Sequence, residues 1–221
     1  MEPSATDPTG ARAAILAAIR AGNRAACPTQ GGIPAPRIAF TEPLIERWQR
    51  LWTSRAGTVA ALPDRAALPA AVASWCQTEQ IAPPTVVSAT LLDLQWPADW
   101  SLSCAPADIT TQTALSEAWA GVAEVGSLVF FSAPAHPTTH RFVPDNHLVV
   151  LSAARIVDHF ETLWQMLRQE LGQNGPNSED WRTHLPRTVN FVAGPSRTGD
   201  IEQTIQLGAH GPRRVHVFLI P

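Results

Sequence analysis

Residues 127–152 read SLVFFSAPAHPTTHRFVPDNHLVVLS. Two apolar runs, SLVFFSA (127–133) and HLVVLS (147–152), flank a connection rich in proline and histidine (134–146). Short, nearly continuous apolar runs bounded by turn residues are what strands buried on both faces require. The same pattern recurs outward from this stretch. GTVAAL (57–62), PTVVSA (84–89), RTVNFV (187–192) and RRVHVFLIP (213–221) read as further strands.

Between them lie helix-like segments. In TEPLIERWQRLWTSRAG (41–57), Thr41 is the expected N-cap, Pro43 falls in the first turn, and Leu44, Ile45, Trp48, Leu51 and Trp52 share a face. DRAALPAAVASWCQTEQ (64–80) reads as a helix broken early at Pro69, and TALSEAWAGVAEVG (113–126) as a helix of small residues. Ile156, Phe160, Leu163, Leu167 and Leu171 mark a further helix face, 178–184 a helical turn, and 200–209 a last helix. Residues 91–105 read as an irregular excursion holding one short strand. Strands alternating with helices predict an α/β fold: a three-layer, mostly parallel sheet with helices on both faces. ARAAILAAIRAG (11–22) is a short helix striped by Ile15, Leu16 and Ile19, and 27–40 is a linker rich in proline and glycine. The expected organisation is therefore an appendage at 1–40 and an α/β domain at 41–221.

The 221 residues carry a formal charge of −3, which gives no electrostatic reason for a nucleic-acid or anionic-membrane partner. No apolar run approaches the roughly 20 residues that cross a bilayer. The opening MEPSATDPTG lacks the basic and then apolar pattern of a signal peptide, so a soluble, cytoplasmic protein is expected. All 16 basic residues are arginine. Without lysine there is neither a Schiff-base amine nor a GxxxxGK[ST] phosphate loop. Cys27, Cys76 and Cys104 are widely spaced, and an iron–sulfur cluster normally takes four thiolates, so this chain is expected to hold none alone. The chain also lacks GxGxxG, GxSxG and HExxH.

Chemistry concentrates in four places. GPSRTGDIE (194–202) follows a strand-like run and precedes a helix-like one, a corner where ligands meet free N–H groups. Ser196 or Thr198 as a cap and two acids in a first turn explain it without a ligand. Arg197 is the exception, because a capping turn has no use for a guanidinium, whereas a carboxylate or phosphate site does. Glu124, read at a helix C-terminus where an acid is disfavoured, is a candidate general base or nucleophilic carboxylate. HPTTHRFVPDNH (136–147) offers His147 to a ligand-facing loop. Its prolines and threonines argue against a helical H-x3-H metal pair, and no metal is expected. GAHGPRRVHV (208–217) places His210 and Arg213 toward the same crevice, while His216 alternates with valines as a packed strand residue.

Several segments together resemble a known family. ARAAILAAIRA (11–21), AEVGSLVFFSA (123–133), VPDNHLVVL (143–151) and GPSRTGDIEQTIQLGAHGPRRVHVFLI (194–220) resemble the LUD-domain family, of the lactate utilization protein C type. Its recurring motifs match Gly194–Ser196, Thr198–Glu202 and Gly208–Arg213, while Val125 stands where the family's Ala-Glu-Thr-Gly pattern has threonine. The resemblance implies a fold like that of the sugar-isomerase and CoA-transferase superfamily. It also implies a subunit of an iron–sulfur complex that oxidises L-lactate to pyruvate, with the clusters in partner iron–sulfur proteins and none here. The residues leave an alternative open: a stand-alone enzyme or binder of a small anionic, nucleotide or CoA-like ligand at Glu124, His147, Ser196, Arg197, Thr198, His210 and Arg213.

Overall fold

The computed structural model describes residues 8–22, 38–173, 185–199, 205–208 and 210–221. Contacts divide the chain into Met1–Ala39 and Phe40–Pro221. In the first unit, α1 (Pro8–Gly22) carries Ile15, Leu16 and Ile19 one turn apart on one side. Residues 27–37 of the linker expected after it, Cys27 among them, and the helical turn at 178–184 lie outside the described residues.

The second unit is built on five parallel strands. β1 (Thr58–Ala61), β2 (Val86–Val87), β3 (Thr113–Glu117), β6 (Asn146–Ser152) and β11 (Arg214–Ile220) run in the order β1-β11-β6-β3-β2. The central pair is in register with Val217 against Val149, and β3 joins with Leu115 against Leu148. Side chains alternate across this sheet, so its two faces build two cores. On one face Leu148, Val150 and Phe218 meet Leu68, Val72 and Cys76 of α3 (Leu68–Thr78). Pro69 begins α3 rather than breaking it, because a proline in the first turn has no N–H to lose.

The other face carries Val149, Leu151, Val215 and Val217. It is covered by α2 (Leu44–Thr53) and by a second sheet of β4 (Ala120–Val122), β5 (Ser127–Phe131), β7 (Ile156–Val157) and β8 (Val189–Val192), in the order β7-β4-β5-β8. Helix α2 starts at Leu44 after Pro43, and no side-chain cap is formed, so Thr41 does not cap it. On the far face of the second sheet, Leu163 of α5 (Phe160–Gln173) packs on Ala120, Val122 and Val129.

The helix expected at 113–126 and the described part of the one expected at 200–209 are not helical, and residues 200–204 and 209 lie outside the described residues. Residues 113–122 form β3 and β4, a nearly continuous run that leaves the first sheet at Ala118 and enters the second at Trp119, and 123–126 turn into β5. Alanine and glycine serve close approach here rather than helix propensity: a Cβ on Gly121 would lie 3.1 Å from the Trp48 indole nitrogen. Residues 205–207 form β10 (Ile205–Leu207), antiparallel to β9 (Arg197–Gly199), so the turn at 194–199 opens a hairpin and not a helix. The face expected to begin at Ile156 begins at Phe160, since Ile156 and Val157 pair with Gly121 and Val122. The segment 134–146 contains a single helical turn, α4 (Thr139–Phe142), and 91–105 contributes one bridge, Ser103 to Val86.

Trp48 and Trp52 are fully buried between the sheets and stack with centroids 5.5 Å apart. Replacing Trp48 by alanine is predicted to destabilise the domain by about 3–5 kcal/mol, the usual cost of removing a buried tryptophan. Urea unfolding followed by circular dichroism measures it.

Candidate functional site

The turn 193–196 lies beside the amino ends of β6 and β11, not at their carboxyl ends. The cause is topological: β8, which precedes the turn, belongs to the second sheet and runs antiparallel to β5. The Ser196 N–H donates to the Pro212 carbonyl at 2.8 Å, and the Gly208 N–H donates to the Ser196 carbonyl at 3.1 Å. These bonds knit 194–196 to 208–212. Gly208 sits at φ +82°, and a Cβ there would fall 2.3 Å from Arg213 Cγ, so this corner requires glycine.

Together with α4 these loops frame a cleft of about 220 Å³, lined by Arg141, Phe142, Phe191, Ser196, His210 and Gly211 among others. Of the residues expected from sequence, Ser196 and His210 line it. Arg197 is exposed on β9, and Thr198 pairs with Gln206 in the hairpin. Arg213 is exposed against Asp145 at 3.4 Å and does not line the cleft. Glu124 lies in the turn from β4 to β5, where its carboxylate accepts the Phe160 N–H at 3.3 Å. It thus sits at the N-terminus of α5, where an acid is favoured, and not at a helix C-terminus. His147 is fully buried, its ring 5.6 Å from that of Phe130, and neither ring nitrogen has a hydrogen-bond partner among the described residues.

Arg141 was not singled out by the sequence. It is 3% exposed, packs over the Phe130 ring at 4.9 Å, and donates to the Phe131 carbonyl at 2.6 Å and to Asn190 Oδ1 at 3.3 Å. Its Nε has no partner, and among the described residues no carboxylate pairs with it. Burial pushes the guanidinium down to about 10, so it remains a cation at neutral pH. A buried, uncompensated cation bordering a cleft is costly unless an anion joins it. Two departures from ordinary loop composition mark it in the sequence: an arginine follows His140 directly, and an apolar Phe142-Val143 pair comes next.

Among the described residues no group of three or more His, Cys, Asp or Glu is placed to hold a metal ion. Burial raises the Cys76 thiol to about 11, leaving it protonated. No helix among the described residues is long and apolar enough to cross a membrane.

Residues 106–220, more than half of the chain, match the LUD domain. The chain belongs to the LUD-domain family. A lactate utilization protein C of Exiguobacterium is 31% identical over 101 residues, covering 46% of this chain and 40% of that protein. A lactate utilization protein C of Geobacillus kaustophilus is 24% identical over 144 residues, 61% of this chain and 56% of that one. An uncharacterized protein of Neisseria meningitidis serogroup B is 32% identical over 105 residues, 48% of this chain and 40% of that one. The chain thus spans about half the length of the curated relatives it matches. The crystal structure of a DUF162 family protein from Deinococcus radiodurans has the same fold, with a TM-score of 0.57 at 14% identity over 80% of this chain and 96% of that one.

Burial holds His147 near 3 and His216 near 4, both below the ordinary 6.5. Unfolding restores the ordinary value, so the unfolded chain binds more protons in this range. The stability these residues contribute is full above about pH 6.5 and falls toward pH 4, by up to about 1.4 kcal/mol per pH unit for each histidine. Urea unfolding at pH 7, 6 and 5 is expected to show the decline, and His147→Leu to remove one histidine's share of the slope.

Proposed function

We propose that this chain is the LUD-domain component of a lactate utilization system, carrying no iron–sulfur cluster itself, and that the Arg141 cleft binds a small carboxylate of the 2-hydroxy-acid type. The observation that carries the carboxylate reading is Arg141, a buried cation at the cleft wall with no acidic partner among the described residues. A bound carboxylate supplies the missing charge and accepts charge-assisted hydrogen bonds. Ser196 and His210 stand in the same wall as groups for a hydroxyl, and Phe142 and Phe191 offer apolar surface for a methyl group. The cleft, about 220 Å³, has room for a small acid and ordered water.

The names of the relatives support placement in lactate utilization. With three dispersed cysteines, the chain leaves cluster-borne electron transfer to partner iron–sulfur proteins.

Calorimetric titration of the purified chain with L-lactate is expected to show saturable binding, weakened roughly 10- to 100-fold by Arg141→Leu, the value of a hydrogen-bonded charge. A parent that does not bind, or a variant that binds as well, sinks the carboxylate reading. Anaerobic affinity purification from cells grown on L-lactate tests the assembly separately. Iron–sulfur proteins are expected to co-elute with lactate-dependent dye reduction, and recovery of the chain alone overturns that half.

A further inference from the structure

A second cleft lies at the opposite end of the parallel strands, their carboxyl ends. Here β3 ends at Glu117 and β6 ends at Ser152, and both chains turn out of the first sheet into the second, through Ala118–Trp119 and Ala153–Arg155. Two adjacent strands departing together open a seam at their carboxyl ends, the position at which open α/β sheets bind ligands. The seam is a cavity of about 430 Å³, lined by Glu117, Trp119, Phe131, His136, Arg155 and Glu170 among others.

Its walls are held in place before any ligand arrives. The rings of Trp119 and Phe131 lie 4.3 Å apart, tilted by 34°. The Trp119 indole N–H donates to Glu170 Oε2 at 2.9 Å, the Arg155 guanidinium lies 4.8 Å over the indole, and Arg155 Nε donates to the Trp119 carbonyl. Charge is spent internally. Arg155 donates to Glu170 at 2.8 Å, and Arg65 donates to Glu117 at 2.5 Å with the Thr90 hydroxyl beside it. Burial works against the charge on Glu117, but these donors outweigh it and hold the carboxyl below its ordinary range. Two closed ion pairs leave no net charge, so an ionic ligand would have to break one of them.

What remains open is neutral and directional. His136 lines the seam, and its buried Nδ1 has no hydrogen-bond partner among the described residues. Burial and then the nearby Arg141 cation lower its proton affinity below the ordinary value, against the opposing pull of Glu117. Arg155 has N–H groups beyond the two already used, and both carboxylates keep lone pairs. The volume is about twice that of the Arg141 cleft and falls within the usual range for organic ligands.

We propose that this seam is a second binding site, for a neutral planar heteroaromatic ring with donors and acceptors on its edge, the chemistry shared by purine and isoalloxazine rings. Trp119 and Phe131 supply the apolar wall, and Arg155, His136 and the two carboxylates read the ring's edge. The proposal does not depend on what the Arg141 cleft binds.

The test is equilibrium titration of the whole chain with adenosine and with riboflavin, followed by calorimetry and fluorescence, beside AMP and FMN as the same rings bearing phosphate. At least one neutral probe is expected to bind saturably, with its phosphorylated form no tighter. Trp119→Leu is expected to weaken binding roughly tenfold, through the loss of apolar contact along the indole. Because Trp119 also packs in the core, Ala133→Trp provides the second variant. Ala133 is exposed at the lip, and the larger side chain should block ring binding while leaving the thermal melt unchanged. No saturable binding of either neutral probe at millimolar concentration overturns the proposal. So does tighter binding of AMP and FMN, or undiminished ring binding by a folded Ala133→Trp.

Discussion

One pair of side chains ties the two sheets together. Trp48 and Trp52 are one helical turn apart on α2, stacked within 10° of parallel and fully buried. Their indole N–H groups point to different sheets. Trp48 donates to the Ser127 carbonyl of β5 at 3.0 Å, and Trp52 to the Thr58 carbonyl of β1 at 3.0 Å. A short helix thereby sets where the second sheet stands against the first. Two glycines accommodate the rings: a Cβ on Gly57 would collide with the Trp52 indole at 2.3 Å, and one on Gly121 would crowd Trp48. At about 25 cal/mol per Å² and roughly 200 Å² per indole, each tryptophan contributes up to about 5 kcal/mol, an upper bound set by the extended-chain reference. Both clefts depend on this spacing, since each includes residues from both sheets or from the chains that connect them.

The α/β class was legible because HLVVLS and RRVHVFLI are apolar on both faces, and their burial in the parallel sheet follows directly. Where the reading failed, tertiary packing overrode local preference. TALSEAWAGV is rich in good helix formers, yet it runs through the middle of the structure, where small residues permit two sheets and a helix to meet. Nothing within that window announces a partner sheet. QLGAHG similarly lacks a local cue that Ile205–Leu207 pairs with Arg197–Gly199, because a ladder depends on the strand opposite.

For the smaller cleft, the glycine-bearing turns were the informative signal. The reading brought Ser196 and His210 to one place, and the structure sets both in one wall. A helix after the turn, as the sequence pattern predicts, would carry the chain back across the parallel strands, whereas the observed hairpin leaves the turn beside their amino ends. Arg197 and Arg213 drew attention as arginines near glycines, but both are solvated. The arginine with unmet bonding is Arg141, and its distinction is burial, which spacing alone does not reveal. The larger seam was invisible for a related reason. Glu117 and Trp119 were read into a helix, so their position at a strand's carboxyl end did not register.

The two clefts lie at opposite ends of the parallel strands, and Arg141 lies between them. Arg141 borders the smaller one, and its guanidinium donates to the carbonyls of Phe131 and His136, both of which line the larger one. The same cation lowers the proton affinity of His136, while Glu117 raises it. An anion beside Arg141 would cancel part of that field, and in a partly buried setting such Coulombic effects fall off slowly because little water screens them. The segment 131–141 is short and is anchored at Phe131 by β5 and at Arg141 by its own hydrogen bonds. One buried cation thus borders the smaller cleft and, through hydrogen bonds to the Phe131 and His136 carbonyls, fixes the backbone of two residues that line the larger one.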